Sequence, residues 1–410
     1  MAAKAELLSP AGDWEKMTMA VAYGADAVYL AGRAYGMRSA AGNFSPEELP
    51  RAVAYCHERG GTVYVTCNTV PHDRELTELP DHLRLLDRAG ADAVIAADIG
   101  VMNMVRRYAP HCALHASTQT GTVNRETALA LRRLGADRVI LARELTLDEI
   151  RELKSSVPPD LELEAFVHGA MCVSFSGRCL LSDYLTGRDA NRGQCAQPCR
   201  WKYHLVEEKR PGQYMEISED GGTYILNSRD LRMIEHLPEL LEAGVTSLKI
   251  EGRAKSAYYA AAVTGAYRQA LDAALEGRPL DAVWVAETEL ISHREYSTGF
   301  YFDEKGPGQY NGSSMYASGC DVAAFVEACG EDGMALLSQR NRIARGDELS
   351  LMMPGRPPVR LTAGPMWDGE GTPIEATPHP MMRYRMRLPV QAPAFSVLRR
   401  MKQEGHAQDR

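Results

Sequence analysis

Four cysteines, Cys172, Cys179, Cys195 and Cys199, fall within the stretch Glu164–Arg200, in a chain that holds nine. Six, fifteen and three residues separate them. A four-thiolate ligand set is the simplest physical reason for that density. Gly169, Ala170, Ser174, Ser176, Gly177 and Gly193 lie among them. Such small residues let a backbone turn tightly and aim amide N–H groups at anionic sulfur. Arg178, Arg192 and Arg200 stand beside the cysteines, where cations would offset a thiolate cluster or a neighbouring anionic substrate. Disulfides would need an oxidising compartment, and nothing here suggests export. Structural zinc sites usually bring ligands in pairs about two to four residues apart, which only Cys195 and Cys199 satisfy. An iron–sulfur cluster tolerates irregular spacing, because its irons separate the thiolates. On spacing alone, an iron–sulfur cluster, zinc and inert thiols all stay open.

The elements that would position these groups come from a repeat. Gly24-Ala-Asp-Ala-Val28, Gly90-Ala-Asp-Ala-Val94 and Gly135-Ala-Asp-Arg-Val139 are near copies, with looser versions at Gly60–Val63 and Gly244–Leu248. In each, glycine ends a helix in the left-handed conformation. A short β-branched run then enters a buried parallel strand. Eight strands follow, near Glu6–Leu8, Ala27–Leu30, Thr62–Thr66, Ala93–Ala96, Ala113–Ala116, Arg138–Leu141, Glu162–Val167 and Ser247–Ile250. That succession predicts an α/β fold, a TIM-type (β/α)8 barrel. The alternative is a doubly wound open sheet, which usually carries a G-x-G-x-x-G loop after a strand; none is present.

In such barrels chemistry sits at the C-terminal ends of the strands. The expected mouth residues are Ser9, Asn68, Asp98, His115, Ser117, Gln119, Arg143, Glu144, Glu164, His168, Lys249, Glu251 and Arg253, with Lys255 just beyond. The cysteines begin directly after the seventh strand, so a metal would sit over that mouth. His115, His168, Glu164 and Glu251 are the candidate catalytic groups. Arg143, Lys249, Arg253 and Lys255, with Ser117 and Gln119, are candidates to bind substrate. Arginine forks match a carboxylate or an RNA phosphate. The plainer alternative pairs Glu164 and Glu251 with Lys249 and arginines inside the barrel. It also makes both histidines hydrogen-bonded core residues.

The 410 residues suffice for a barrel and an appended domain, and 45% hydrophobic content supports a sizeable core. No apolar run reaches membrane-spanning length, so no membrane association is expected. The opening MAAKAELLSPAGD lacks the apolar centre of an export signal. An odd cysteine count fits a reducing, cytoplasmic location, and Cys56, Cys67, Cys112, Cys320 and Cys329 read as buried thiols. A net charge of −8 argues against indiscriminate nucleic-acid binding. A local basic track remains in Arg383, Arg385, Arg387, Arg399, Arg400 and Lys402, interleaved with Tyr384; RNA contact competes with a solvated strand and helix.

The expected domains are a barrel over 1–285, a small antiparallel β-barrel over 286–395, and a basic tail over 396–410. An insertion over 170–235 follows strand seven, with an antiparallel meander between Lys202 and Asp230. Ser228 is expected to cap a helix over Arg229–Ala243. Lys255–Glu276 reads as the last barrel helix and Arg278–Ala286 as a linker.

The run Glu164-x-Phe166-x-His168-Gly169-Ala170-Met171-Cys172, followed by Ser176-Gly177-x-Cys179-x-Leu181-Ser182, resembles the signature of the U-thirty-two (U32) peptidase family, the collagenase-like proteases. LHASTQ at Leu114–Gln119, LKIEGRAKS at Leu248–Ser256, HREYSTGFY at His293–Tyr301 and RNRIARGDEL at Arg340–Leu349 extend the resemblance over nearly the whole chain. Members are proteases by name, while several bacterial ones hydroxylate RNA bases or a quinone precursor without oxygen, using an iron–sulfur cluster. The cysteine pattern followed by Arg200-Trp201 is most similar to the transfer-RNA 5-hydroxyuridine branch. That resemblance implies a 4Fe-4S cluster on the four cysteines, prephenate as hydroxyl source, tRNA as partner and an unidentified electron donor. A peptidase and a scaffold in a quinone-precursor hydroxylase are the rivals. Neither H-E-x-x-H nor G-x-S-x-G is present, but His168 and Cys172 would make a base and nucleophile pair.

Overall fold

A computed structural model describes residues 5–37, 42–172, 174–176, 179–201, 205–206, 214–215, 228–302, 308 and 318–402. The first half alternates strand and helix in order: β1 (Glu6–Pro10), α1 (Trp14–Ala22), β2 (Ala27–Leu30), α2 (Glu48–His57), β3 (Thr62–Cys67), α3 (Leu79–Ala89), β4 (Ala93–Ala96), α4 (Ile99–Tyr108), β5 (Ala113–Ala116), α5 (Arg125–Arg133), β6 (Arg138–Ile140), α6 (Leu147–Ser155) and β7 (Glu162–Ala170). After α7 (Leu181–Thr186) come a short pair β8 (Leu205–Val206) and β9 (Tyr214–Met215), then β10 (Asp230–Arg232), α8 (Leu237–Glu242), β11 (Ser247–Ile250), α9 (Ala257–Leu275), α10 (Ala282–Glu289) and β12 (Tyr296–Ser297). Strands β1 to β7 pair in parallel in sequence order, and β11 pairs in parallel with both β7 and β1, closing the expected TIM-type barrel. The repeated glycines behave as read: Gly24, Gly90 and Gly135 take φ of 95°, 76° and 95°, so each helix ends in a left-handed turn that feeds the next strand.

Closure sets the contents of the barrel. The register places Ser247 opposite Glu6 on one side and Glu164 on the other. Barrel interiors are usually layers of branched apolar residues; here one layer is ionic. Arg138 donates to Glu6 at 2.7 Å, Glu162 at 2.7 Å and Glu164 at 3.2 Å. Lys249 donates to Glu164 at 2.6 Å, and Ser247 to Glu6 at 2.7 Å.

The second half departs from expectation at several places. Ser228 does not cap a helix. Asp230–Arg232 instead forms β10, antiparallel to β7 and parallel to β12. Its anchor is tertiary: buried Asp230 receives Arg294 Nη2 at 2.7 Å and the Arg294 backbone N–H at 3.2 Å. This pairing lengthens β7 to Ala170. The predicted linker holds the start of α10, capped by Asp281, and β12 still belongs to the barrel sheet, so the barrel domain runs past residue 285. Most of the predicted meander between Lys202 and Asp230 lies outside the described residues; the pair β8–β9 is antiparallel.

Eight more strands form the C-terminal antiparallel domain: β13 (Cys320–Cys329), β14 (Met334–Gln339), β15 (Glu348–Met353), β16 (Arg356–Thr362), β17 (Met366–Trp367), β18 (Pro373–Ile374), β19 (Arg383–Arg387) and β20 (Val397–Met401). Their order is β16-β15-β20-β13-β14-β19-β17-β18, around a core of its own that includes Leu337, Leu351, Tyr384 and Met386. The expected basic tail is therefore partly a strand, β20, and residues 403–410 lie outside the described residues. Arg383, Arg385 and Arg387 are exposed on β19, but Arg399 is not an RNA-facing residue. It is 1% exposed and donates twice to Glu287 of α10, at 2.6 Å each, and to Tyr258 of α9 at 2.9 Å. This buried pair ties the two domains. No helix of the described residues is long and apolar enough to cross a membrane. Cys56, Cys67, Cys112 and Cys320 are buried, whereas Cys329 is half-buried.

Candidate active site

A cavity of about 490 Å³ lies at the C-terminal ends of the barrel strands. Thr66 and Asn68 reach it from the end of β3, Ser117 and Gln119 from β5, Arg143 and Glu144 from β6, Phe166 and Ala170 from β7, and Lys249, Glu251, Arg253 and Lys255 from β11 and its loop. Cys172, Cys179, Cys195 and Cys199 all line it. So do Arg188 and Arg200, giving, among the described residues, six cationic side chains against two carboxylates, Glu144 and Glu251.

The cysteine loop is hung from its neighbours. Gly169 has φ 109°, and a Cβ there would sit 2.6 Å from the Glu251 carbonyl oxygen; only glycine lets β7 pass that strand end. Arg143 donates through Nη1 to the Ala170 carbonyl at 2.7 Å, and its guanidinium lies 3.9 Å from the centre of the Phe166 ring. The Glu144 carboxylate accepts from Ser176 N at 2.8 Å and Ser176 Oγ at 2.7 Å. Farther along, Asn191 Nδ2 donates to the Cys179 carbonyl at 3.3 Å, and Ser182 Oγ accepts from Ala196 N at 2.9 Å. Arg192 pairs with Glu75, pinning the loop to the segment before α3. The Gln197 N–H points at Cys195 Sγ, 3.4 Å away, so the sulfur serves as an acceptor. Burial pushes the Cys199 thiol up, Arg200 pulls it down, and Cys172, Cys195 and Cys179 push it up again. Among the described residues, no three His, Cys, Asp or Glu side chains are grouped to hold a single metal ion.

Five residues expected at the mouth are elsewhere. Glu164 is fully buried and belongs to the interior ionic layer, as the plainer alternative held. His115 lies in the same interior, its ring 4.6 Å from that of Tyr64; burial, then Arg138 and Lys249, push its pKa well below the usual range. His168 is turned outward. The β7–β11 register slips between Lys249 and Ile250, an extra residue that reverses side-chain alternation. His168 therefore meets Tyr267, Tyr259 and Tyr296. Tyr267 O–H donates to the Val167 carbonyl at 2.7 Å, so it can only accept from His168 Nδ1, 3.3 Å away. Burial first, then His293, Arg232 and Lys255, keep that ring neutral. Ser9, bonded to Thr264, and Asp98, the N-cap of α4, are structural.

The anion-binding candidates are in place. Lys249 reaches the cavity floor with its ammonium 4.4 Å from the Tyr29 ring centre. Arg253 is 3% exposed and donates to Thr66 Oγ1 at 2.8 Å and Asn43 Oδ1 at 3.0 Å. Lys255 donates to the Ser292 carbonyl at 3.1 Å. Burial, opposed by Asp230 and reinforced by Arg200 and Arg294, brings its pKa down to about 8. The ammonium is the form that attracts an anion, so affinity is full below that value and declines as pH rises through it. Titrating a small dicarboxylate calorimetrically from pH 7 to pH 9 should show roughly tenfold weakening, abolished in Lys255→Met.

Thr66 and the Glu144–Ser176 clasp were not singled out from sequence. Thr66 precedes Asn68 by two, and strand alternation alone assigns both to the same inward face. The clasp joins distant segments and has no local signature.

The model of "Peptidase family U32" matches residues 12–311, and that of its C-terminal domain residues 318–399. The chain is 36% identical over 408 residues to "tRNA hydroxylation protein P1" of Bacillus subtilis, covering 97% of this chain and 95% of that one. It is 39% identical over 394 residues to "tRNA hydroxylation protein P" of Escherichia coli, covering 86% of each. It is 45% identical over 302 residues to "Uncharacterized protease MJ0090" of Methanocaldococcus jannaschii, covering 72% of this chain and 73% of the other. The two matched models together span most of the chain, which therefore belongs to peptidase family U32.

Proposed function

We propose that this protein is an oxygen-independent RNA hydroxylase that converts a tRNA uridine to 5-hydroxyuridine, with a four-iron, four-sulfur cluster on Cys172, Cys179, Cys195 and Cys199. The observation that carries the reading is that all four thiols share one barrel-mouth cavity with six cations. The names of the full-length relatives support an RNA substrate. Four thiols around one cavity, irregularly spaced in sequence, fit a cluster whose irons hold thiolates apart better than one zinc ion.

When bound, the cluster would supply electron transfer at the mouth. The chain's own residues do the rest. Arg143, Arg253 and Lys255 hold a small anionic hydroxyl donor, prephenate by resemblance, or an RNA phosphate. The base must leave its stack to enter such a cavity, and an unpaired loop lowers that cost. Lys255, with its pKa near 8, is the cavity group suited to hold or release a proton near neutrality. His115 and His168 are buried and neutral, away from the cavity. The same placement weakens the peptidase rival, because His168 bonds to Tyr267 and faces away from Cys172's cavity.

The test combines two measurements. Anaerobically purified protein should be brown and contain about four iron and four sulfide per chain, and tRNA from a deletion strain should lack hydroxyuridine by mass spectrometry. A colourless protein that cleaves gelatin, with tRNA unchanged in the deletion strain, would return the peptidase reading. Unchanged tRNA with altered quinone pools would favour the quinone-precursor role.

A further inference from the structure

One wall of the cavity is fixed in polarity by a chain of hydrogen bonds that starts at the backbone. The Met37 N–H donates to Asn68 Oδ1 at 3.1 Å. A backbone N–H can only donate, so the Asn68 amide is oriented, and its Nδ2 faces Gln119 Oε1 at 2.6 Å. Ser117 Oγ donates to the same Oε1 at 3.2 Å. Both acceptor positions of Gln119 are filled. Its Nε2 hydrogens make no hydrogen bond among the described residues. Thr66 Oγ1 accepts from Arg253 Nη1 at 2.8 Å and keeps its own hydrogen to give. Thr66, Asn68, Gln119 and Arg253 all line the cavity. What this wall still offers is N–H and O–H donors beside a permanent positive charge.

The geometry points to this wall as the seat of a planar carboxylate on the small co-substrate, an assignment that rests on the hydroxylase reading of the cavity. A carboxylate only accepts, so every remaining donor finds a partner, and its bonds to Arg253 are charge-assisted. A base edge alternates donors with acceptors and would set an N–H against an N–H. The wall therefore holds the donor molecule, and the base enters from the side of the cysteine loop. Gln119 is a binding residue in this scheme, and Asn68 and Ser117 position it.

The test is calorimetric titration of the full chain with prephenate and with phenylpyruvate, beside filter binding of unmodified tRNA. Gln119→Glu places a second carboxylate on the wall and should weaken both acids by at least about tenfold. Gln119→Leu removes the donors without adding charge and should weaken them about threefold to fivefold. Both variants should keep tRNA affinity within about twofold of wild type. Unchanged carboxylate affinity in the two variants overturns the proposal, as does a loss that falls on tRNA instead, which would make the wall a contact for an RNA base or phosphate. If wild-type protein binds neither acid, the wall assignment fails. If it binds the acids as expected but no tRNA, the RNA reading fails while the wall stands.

Discussion

Replacing Cys172, Cys179, Cys195 or Cys199 singly by alanine is expected to strip iron and sulfide from anaerobically prepared protein and to lower hydroxyuridine formation by at least about 100-fold. Each thiol lines the same cavity, and a cluster missing one ligand loses both affinity and redox setting. Cys329→Ala is the control, since that half-buried thiol lies on β13. The barrel should survive all four changes, because Cys172 and Cys195 are exposed and Cys179 and Cys199 are half-buried. Thermal melts of iron-free wild type and variants should then coincide within a few degrees. A cysteine variant that keeps full iron and colour would remove that residue from the ligand set.

The second large effect concerns stability. Arg399→Ala leaves Glu287 buried with its strongest partner gone; the two side chains are 1% and 4% exposed. Breaking such a pair costs about 3–5 kcal/mol. Urea denaturation should show the loss directly, with the midpoint shifted down and cooperativity between domains reduced. The double change Arg399→Met with Glu287→Leu removes both charges and should recover most of the loss, because the desolvation cost disappears with the ions. If the double variant is as unstable as the single one, the pair is not what joins β20 to α10.

Legibility followed the range of the forces involved. The barrel strands were readable because each is announced locally, by a left-handed glycine and then a β-branched run, and Gly24, Gly90 and Gly135 do this in near-identical words. The convergence of the cysteines with Arg143, Arg253 and Lys255 was readable because barrel topology alone sends those strand ends to one rim. Depth was not readable: Glu164 and His115 point inward as alternation requires, but they sit in the ionic layer under the mouth. His168 was misplaced by a one-residue register slip whose cause is pairing with β11. Asp230–Arg232 looked helical, yet a long-range bond to Arg294 holds it as a strand. Arg399 looked like surface charge until α10 supplied Glu287. In each failure a partner far along the chain overrode a local pattern.

The contrast between an overall charge of −8 and a mouth edged by six cations has a bearing on how a polyanion arrives. At long range the net charge repels a negatively charged molecule. A cavity lined by cations on a chain of opposite net sign favours encounters that are already aligned with it. Selectivity of this sort is kinetic, and added salt would blunt it first in the rate of arrival.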